Sequence, residues 1–255
     1  MDWAKKRQAL VLAIFAAVGI ALVTVISIAI FYKTPTCTDG KQNQGETGLD
    51  CGGPCARACV VDVRPAQVRF ARAVASAPGR TDVIAYVDNP NQDAAAHAVR
   101  ANVEAYDANH TLLAKREVMF DLPSGGTVPV YVEGLVSSST SAVTQTFFTL
   151  DPASITWIRV SGKPIVPAVQ NIQWQGGSMP RVSATLSNPL AQAASNITLI
   201  AVVFDSSGQA IAASRTFVST LPPQGTAPLI FTWSIPFTSA PARVDVVPII
   251  PVRAL

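Results

Sequence analysis

The chain has 255 residues, of which 49% are hydrophobic and 14% charged, with a formal net charge of +3. Soluble chains usually carry about 25% charged residues, so charge is scarce here. There is no basic tail, no arginine-rich helix and no interleaving of aromatics with lysines, which excludes the electrostatic footprint of a nucleic-acid binder.

The first predicted element is residues 9–32, ALVLAIFAAVGIALVTVISIAIFY, a run free of charge and proline. As a helix it is roughly 36 Å long at about 1.5 Å per residue, against a bilayer core of about 30 Å. It is read as a transmembrane helix. Lys5, Lys6 and Arg7 precede it and only Lys33 follows closely. The basic excess predicts a cytoplasmic flank at 1–8 and an extracytoplasmic 33–255, in a single-pass topology. A cleaved signal peptide fits less well. Its apolar region is typically about 7–15 residues, and no small-x-small site follows this run. Cys37 is preceded by Thr-Pro-Thr rather than by the small apolar residues of a lipoprotein.

Residues 33–59 form the next segment. All four cysteines of the chain, Cys37, Cys51, Cys55 and Cys59, fall here, among Gly40, Gly45, Gly48, Gly52, Gly53 and Pro54. Such glycine density rules out a regular helix or strand and predicts successive tight turns. An even number of cysteines in an exported segment predicts two disulfides, and the sequence leaves all three pairings open. Asp39, Asn43, Glu46 and Asp50 could offer oxygen ligands to Ca²⁺, although their spacing is not that of an EF-hand loop. The competing expectation is that they cap turn amides inside a stapled spacer. Zinc is disfavoured, because the cysteine spacing lacks paired CxxC hooks.

Beyond Cys59 the pattern becomes alternating. Val99-Arg-Ala-Asn-Val-Glu-Ala105 has the period of a half-buried strand. Similar stretches lie near 81–88, 112–120, 127–133, 143–150 and 155–160, separated by Asn89-Pro90, Ser124-Gly125-Gly126, Asp151-Pro152 and Ser161-Gly162. The same grammar returns about 99 residues later. Asn89-Pro90 matches Asn188-Pro189, and Val103-Glu-Ala-Tyr-Asp107 matches Ala201-Val-Val-Phe-Asp205. Leu122-Pro123 with Gly126-Thr127 and Pro129 matches Leu221-Pro222 with Gly225-Thr226 and Pro228. A mainly β chain follows, with two immunoglobulin-like β-sandwich domains at 60–163 and 164–255. Trp157, Trp174 and Trp233 are their candidate core or edge aromatics. Asp107 and Asp205 would cap turns at strand ends.

Two resemblances rest on these residues. Cys37, Asp39, Gly40, Asn43, Glu46, Thr47, Gly48, Asp50, Cys51, Gly52, Gly53 and Cys55 resemble a short exported juxtamembrane module, which implies no activity. Tyr106-Asp107 with Leu122-Pro123, and Phe204-Asp205-Ser-Ser-Gly208 with Leu221-Pro-Pro-Gln-Gly225-Thr226, resemble the FxLYD type of exported sandwich domain. The first copy departs from it with Asn109-His110 where the second has Ser207-Gly208. The resemblance implies a fold only.

Catalytic patterns are scarce. His97 shares the parity of Val99 and Ala101, which places it at the mouth of the core; His110 falls in a turn. Neither has metal-ligand or triad spacing, and GxSxG, HExxH, phosphate-loop and dinucleotide patterns are lacking. No catalytic residue and no cofactor, apart from Ca²⁺, is expected. Charge divides unevenly. Residues 60–163 hold nineteen charged side chains, and 164–255 hold six: Arg181, Asp205, Arg215, Arg243, Asp245 and Arg253. A domain so poor in charge is expected to rest a face on a protein partner or on another copy of the chain. The expectation is a non-enzymatic structural or interaction protein of the cell envelope. An accessory subunit of a pilus-type or secretion-type assembly, or a receptor-like ligand-binding module, are the alternatives.

Overall fold

The computed structural model describes residues 3–31, 35–137, 141–162 and 164–252. Tyr32, Lys33 and Lys163, which the sequence reading placed at boundaries, lie outside those residues. The chain divides into two compact units, 1–54 and 55–255.

In the first unit a single helix, α1 (Trp3–Phe31), extends the apolar run backwards through the basic flank. Alanine, lysine, arginine and glutamine are good helix formers, so nothing at 4–8 stops the helix. The Arg7 guanidinium lies 4.1 Å over the Trp3 ring one turn away. Residues 5–29 are long and apolar enough to cross a membrane, and none of that window is buried against protein.

The second unit is mainly β. Seven strands make its first sheet pair: β1 (Gln67–Ala77), β2 (Arg80–Asn89), β3 (Ala94–Tyr106), β4 (Leu112–Leu122), β5 (Gly126–Ser137), β6 (Gln145–Leu150) and β7 (Trp157–Arg159). One sheet runs β1-β2-β5; the other runs β4-β3-β6, with β7 also on β3. Six more strands follow: β8 (Ala168–Gln175), β9 (Arg181–Ser187), β10 (Ala194–Phe204), β11 (Ala210–Leu221), β12 (Thr226–Thr232) and β13 (Arg243–Ile249). They repeat the topology, with sheets β8-β9-β12 and β11-β10-β13. Each pair encloses its own core. Val83, Ala85 and Val87 face Val99, Val103 and Trp157 in the first, and Val182, Leu186, Phe231 and Trp233 face Leu199 and Val203 in the second. Trp174 sits on edge strand β8 and is half exposed.

The repeat extends to single hydrogen bonds. The Asn89 Nδ2 donates to Ala94 O and Pro123 O, both at 2.8 Å, while its Oδ1 accepts from Asn91 N at 3.0 Å. The Asn188 Nδ2 donates to Gln192 O at 2.8 Å and Pro222 O at 2.9 Å, and its Oδ1 accepts from Leu190 N at 3.1 Å. Asp107 Oδ1 accepts from Asn109 N and Thr111 N, as Asp205 Oδ1 does from Ser207 N and Gln209 N. His110 occupies the left-handed site of this turn at φ 59°, where the second copy has Gly208 at φ 77°. The one departure between the two turns is thus a matter of which residue tolerates positive φ, not of backbone shape.

A third apolar cluster lies between the two sheet pairs. Val74, Ile84, Phe70 and Tyr86, from the outer face of β1-β2-β5, meet Ile200, Val202, Phe204, Ala210 and Ala213 from the outer face of β11-β10-β13. Phe70 stacks on Tyr86 at 5.0 Å, and Tyr86 meets Phe204 edge-on at 6.1 Å. Four sheets therefore pack in series through three apolar layers. Strands β2 and β10 are buried on both faces as a result, and their sequences Val83-Ile-Ala-Tyr-Val87 and Ile197-Thr-Leu-Ile-Ala-Val-Val-Phe204 are near-continuous apolar runs. The corresponding positions on the central strands β3 and β9, at the two ends of the stack, are polar. Asn102, Glu104 and Tyr106 stand where the second copy has Ile200, Val202 and Phe204, and Ser183 and Thr185 stand where the first has Ile84 and Tyr86. At these central-strand positions large apolar side chains stand only where a neighbour covers them, the pattern of terminal repeats that cap an array, while the flanking strands still expose Met119, Phe147 and Ile230.

Candidate functional site

The residues singled out in the glycine- and cysteine-rich loop are shaped by turns. Gly40, Gly45, Gly52 and Gly53 adopt positive φ. At Gly53 a Cβ would lie 2.2 Å from the Gly45 carbonyl oxygen, so only glycine fits that close approach. All four cysteines, Cys37, Cys51, Cys55 and Cys59, are disulfide-bonded. Their sulfurs are not thiolates, and the zinc reading has no ligand set. Ala56 O accepts from Arg159 N at 2.7 Å and Ala58 N donates to Trp157 O at 3.0 Å, so the stretch after Cys55 runs beside β7 and adds Ala58 to the first core.

The four oxygen-bearing residues lie in one loop, and the three carboxylates accept hydrogen bonds within it. Asp39 Oδ1 accepts from Lys41 N at 2.9 Å, and its Oδ2 accepts from Asn43 Nδ2 at 2.8 Å. The Asn43 bond is the leading cause that holds the Asp39 carboxyl below its ordinary value. Buried Glu46 accepts at Oε2 from Asn43 N at 3.2 Å. Both Asp50 oxygens accept from Gly40 N, at 3.0 and 3.1 Å. Asn43 Oδ1 is buried and has no hydrogen-bond partner among the described residues. The geometry is that of side chains capping successive turns. A cation here would have to compete with backbone amides for the carboxylate oxygens.

The histidines occupy other places. His97 is exposed, with Nδ1 2.7 Å from Asp121 Oδ1. A bulge between Ala96 and Val99, where Ala98 takes φ 52°, breaks the alternation. The parity argument that put His97 at the core mouth therefore fails, and the ring faces solvent. Asp121 is committed to scaffold contacts as well: Oδ1 accepts from Ala98 N at 3.0 Å and Oδ2 from Val252 N at 2.8 Å. His110 is in its turn, with Nδ1 3.2 Å from Gln145 Oε1. Among the described residues no hydroxyl or thiol is paired with either ring, the geometry nucleophilic catalysis needs.

Sequence reasoning missed a cluster on β2, β4, β5 and β11. Arg80 Nη2 donates to Glu133 Oε1 at 2.6 Å, and Arg215 Nη2 to Glu133 Oε2 at 3.4 Å. Arg116 donates to the carbonyls of Glu133 at 2.7 Å and Gly134 at 2.8 Å. Beneath them Asp82 is fully buried, accepting from Gly134 N at 2.7 Å, from Arg80 Nε at 3.4 Å and from the Tyr131 hydroxyl. These residues are scattered over 136 positions of sequence, from 80 to 215. Only the strand registers bring them together, so no local motif announced them.

No family profile and no curated protein matches the chain. Among solved structures it is similar to red sea bream transglutaminase, with a TM-score of 0.23 and 13% identity over 75% of this chain and 32% of that one. The chain spans about a third of that enzyme's length, and at this score the likeness carries nothing further. The class that the fold and loop define is a mainly β, sandwich-built chain with a disulfide-stapled loop and one apolar N-terminal helix.

Proposed function

We propose that the protein is a membrane-anchored, exported interaction protein of the cell envelope without catalytic chemistry. Its helix holds it to the bilayer with the N-terminus cytoplasmic, and the β body carries the contact with a protein partner or a second copy. The observation that carries the reading is the third apolar layer. A tandem body packed through its own core presents a fixed surface rather than two loosely tethered modules, which suits an element that positions other proteins. Supporting it, the outer face of β8-β9-β12 carries one charged side chain, Arg181, among Gln170, Gln173, Ser183, Thr185, Thr226 and Thr232, and a face so sparse in charge desolvates at less cost than a highly charged one. The test is purification of the full chain from membranes in mild detergent after crosslinking. A stoichiometric partner, or a discrete oligomer, is the expected result; monomer alone in every detergent and at every expression level would contradict it.

Calcium in the loop of Asp39, Asn43, Glu46 and Asp50 is a separate proposal, supported by the unpartnered Asn43 Oδ1. It requires the melting temperature of the full chain to rise with millimolar Ca²⁺ and fall with chelator. Identical melting curves in the two conditions leave the loop as a stapled spacer.

A further inference from the structure

We infer that the cleft lined by Arg80, Arg116, Arg215, Met119 and Tyr131 is a binding site for a small ligand bearing a phosphate or carboxylate group. The cleft has a volume of about 520 Å³, within the range of small-molecule sites. It lies where the two sandwiches meet, with Arg80 and Arg116 from the first and Arg215 from the second. Three guanidinium groups face two carboxylates, Glu133 and the buried Asp82, so one positive charge is left over.

The excess resides at a definite place. Glu133 is shared by Arg80 and Arg215, while Arg116 bonds to two neutral backbone carbonyls. A guanidinium held by carbonyls is oriented without being neutralised. Its remaining N–H donors, and those of Arg215 in the same cleft, are available to an oxyanion, which a planar guanidinium grips in two-point fashion. Val118, Val130 and Val132 supply an apolar wall beside this fork. That combination fits a ligand with a charged head on a less polar body. Arg80 is the residue fixed by Asp82 and Glu133 and acts as a positioning residue; Arg116 and Arg215 carry the contact. The inference does not rest on the membrane reading.

The test uses the full chain in a maltoside detergent, which carries no phosphate. Melting is followed against inorganic phosphate, and separately against citrate, with ionic strength held constant by sodium chloride. A saturable rise in melting temperature with either probe is expected. Both R116Q and R215Q are expected to weaken the apparent affinity at least tenfold. R116Q also removes bonds to the Glu133 and Gly134 carbonyls and lowers the starting melting temperature. R215Q removes one exposed ion pair, so it reads binding with little disturbance of the fold. Curves that overlay the chloride control for both probes, or a rise that survives both substitutions unchanged, would overturn the assignment.

Discussion

At the scale of single residues, Tyr86 is the most informative. Its ring completes the layer between the sandwiches, but its hydroxyl is buried with no hydrogen-bond partner among the described residues. An unsatisfied buried polar group costs about 1–3 kcal/mol. Tyr86→Phe should therefore leave stability unchanged or raise it, as read by denaturant midpoint; a loss above about 1 kcal/mol would reveal a partner for the hydroxyl. Burial pushes the Tyr86 and Tyr131 hydroxyls well above their ordinary pKa of 10.0, and Asp82 adds to the shift at Tyr131. The sign follows from linkage. Both groups stay protonated in the fold after they would ionise in the unfolded chain. Their contribution is complete below pH 10 and declines as pH rises through and beyond that value. Alkaline unfolding should begin near there, and the Tyr86→Phe variant should lose less stability over the same interval. The paired asparagines make the opposite case. Each spends both faces of its amide on buried backbone, so Asn188→Ala should cost about 1–3 kcal/mol, and Asn89→Ala a similar amount. These two were visible in the sequence as Asn-Pro pairs at matching offsets, but their hydrogen bonds were not. An asparagine beside proline announces a turn, and does not say which distant carbonyls it will hold.

At the scale of elements, strand existence and the repeat were legible because alternation and turn residues are local signals. Residues 81–88 and 112–120 fall inside β2 and β4. Two features were not legible. The bulge that turns His97 outward depends on Ala98 taking φ 52°, and nothing in an alanine announces positive φ. The third apolar layer was present in the sequence, in the unbroken apolar runs of β2 and β10, but such runs can mean a buried strand or a buried helix. The scarcity of charge after residue 164 has one physical cause in that layer, since the outer face of β11-β10-β13 is covered by the first sandwich. Val202→Glu tests the element directly. It places in the second copy the residue that the first copy already carries as Glu104 on a solvated face. Each sandwich core should survive, while the junction loses about 3–5 kcal/mol by the burial of an unpaired charge. Thermal unfolding should split from one transition into two. A single unshifted transition would mean that the layer contributes little.

At the scale of the whole molecule, the account rests on a long apolar helix, on a loop whose four cysteines are all disulfide-bonded, and on a β body. Both were legible because hydrophobic length and cysteine clustering are properties of contiguous sequence. The Arg80–Arg116–Arg215 cleft was not, because it is assembled from three strands of two sandwiches. The most direct measurement of the central claim is protease treatment of intact cells expressing the full chain with a C-terminal epitope. The account predicts that the epitope is lost from intact cells while a membrane-embedded N-terminal fragment remains. An epitope that persists until the membrane is permeabilised would place the β body on the wrong side and contradict the account.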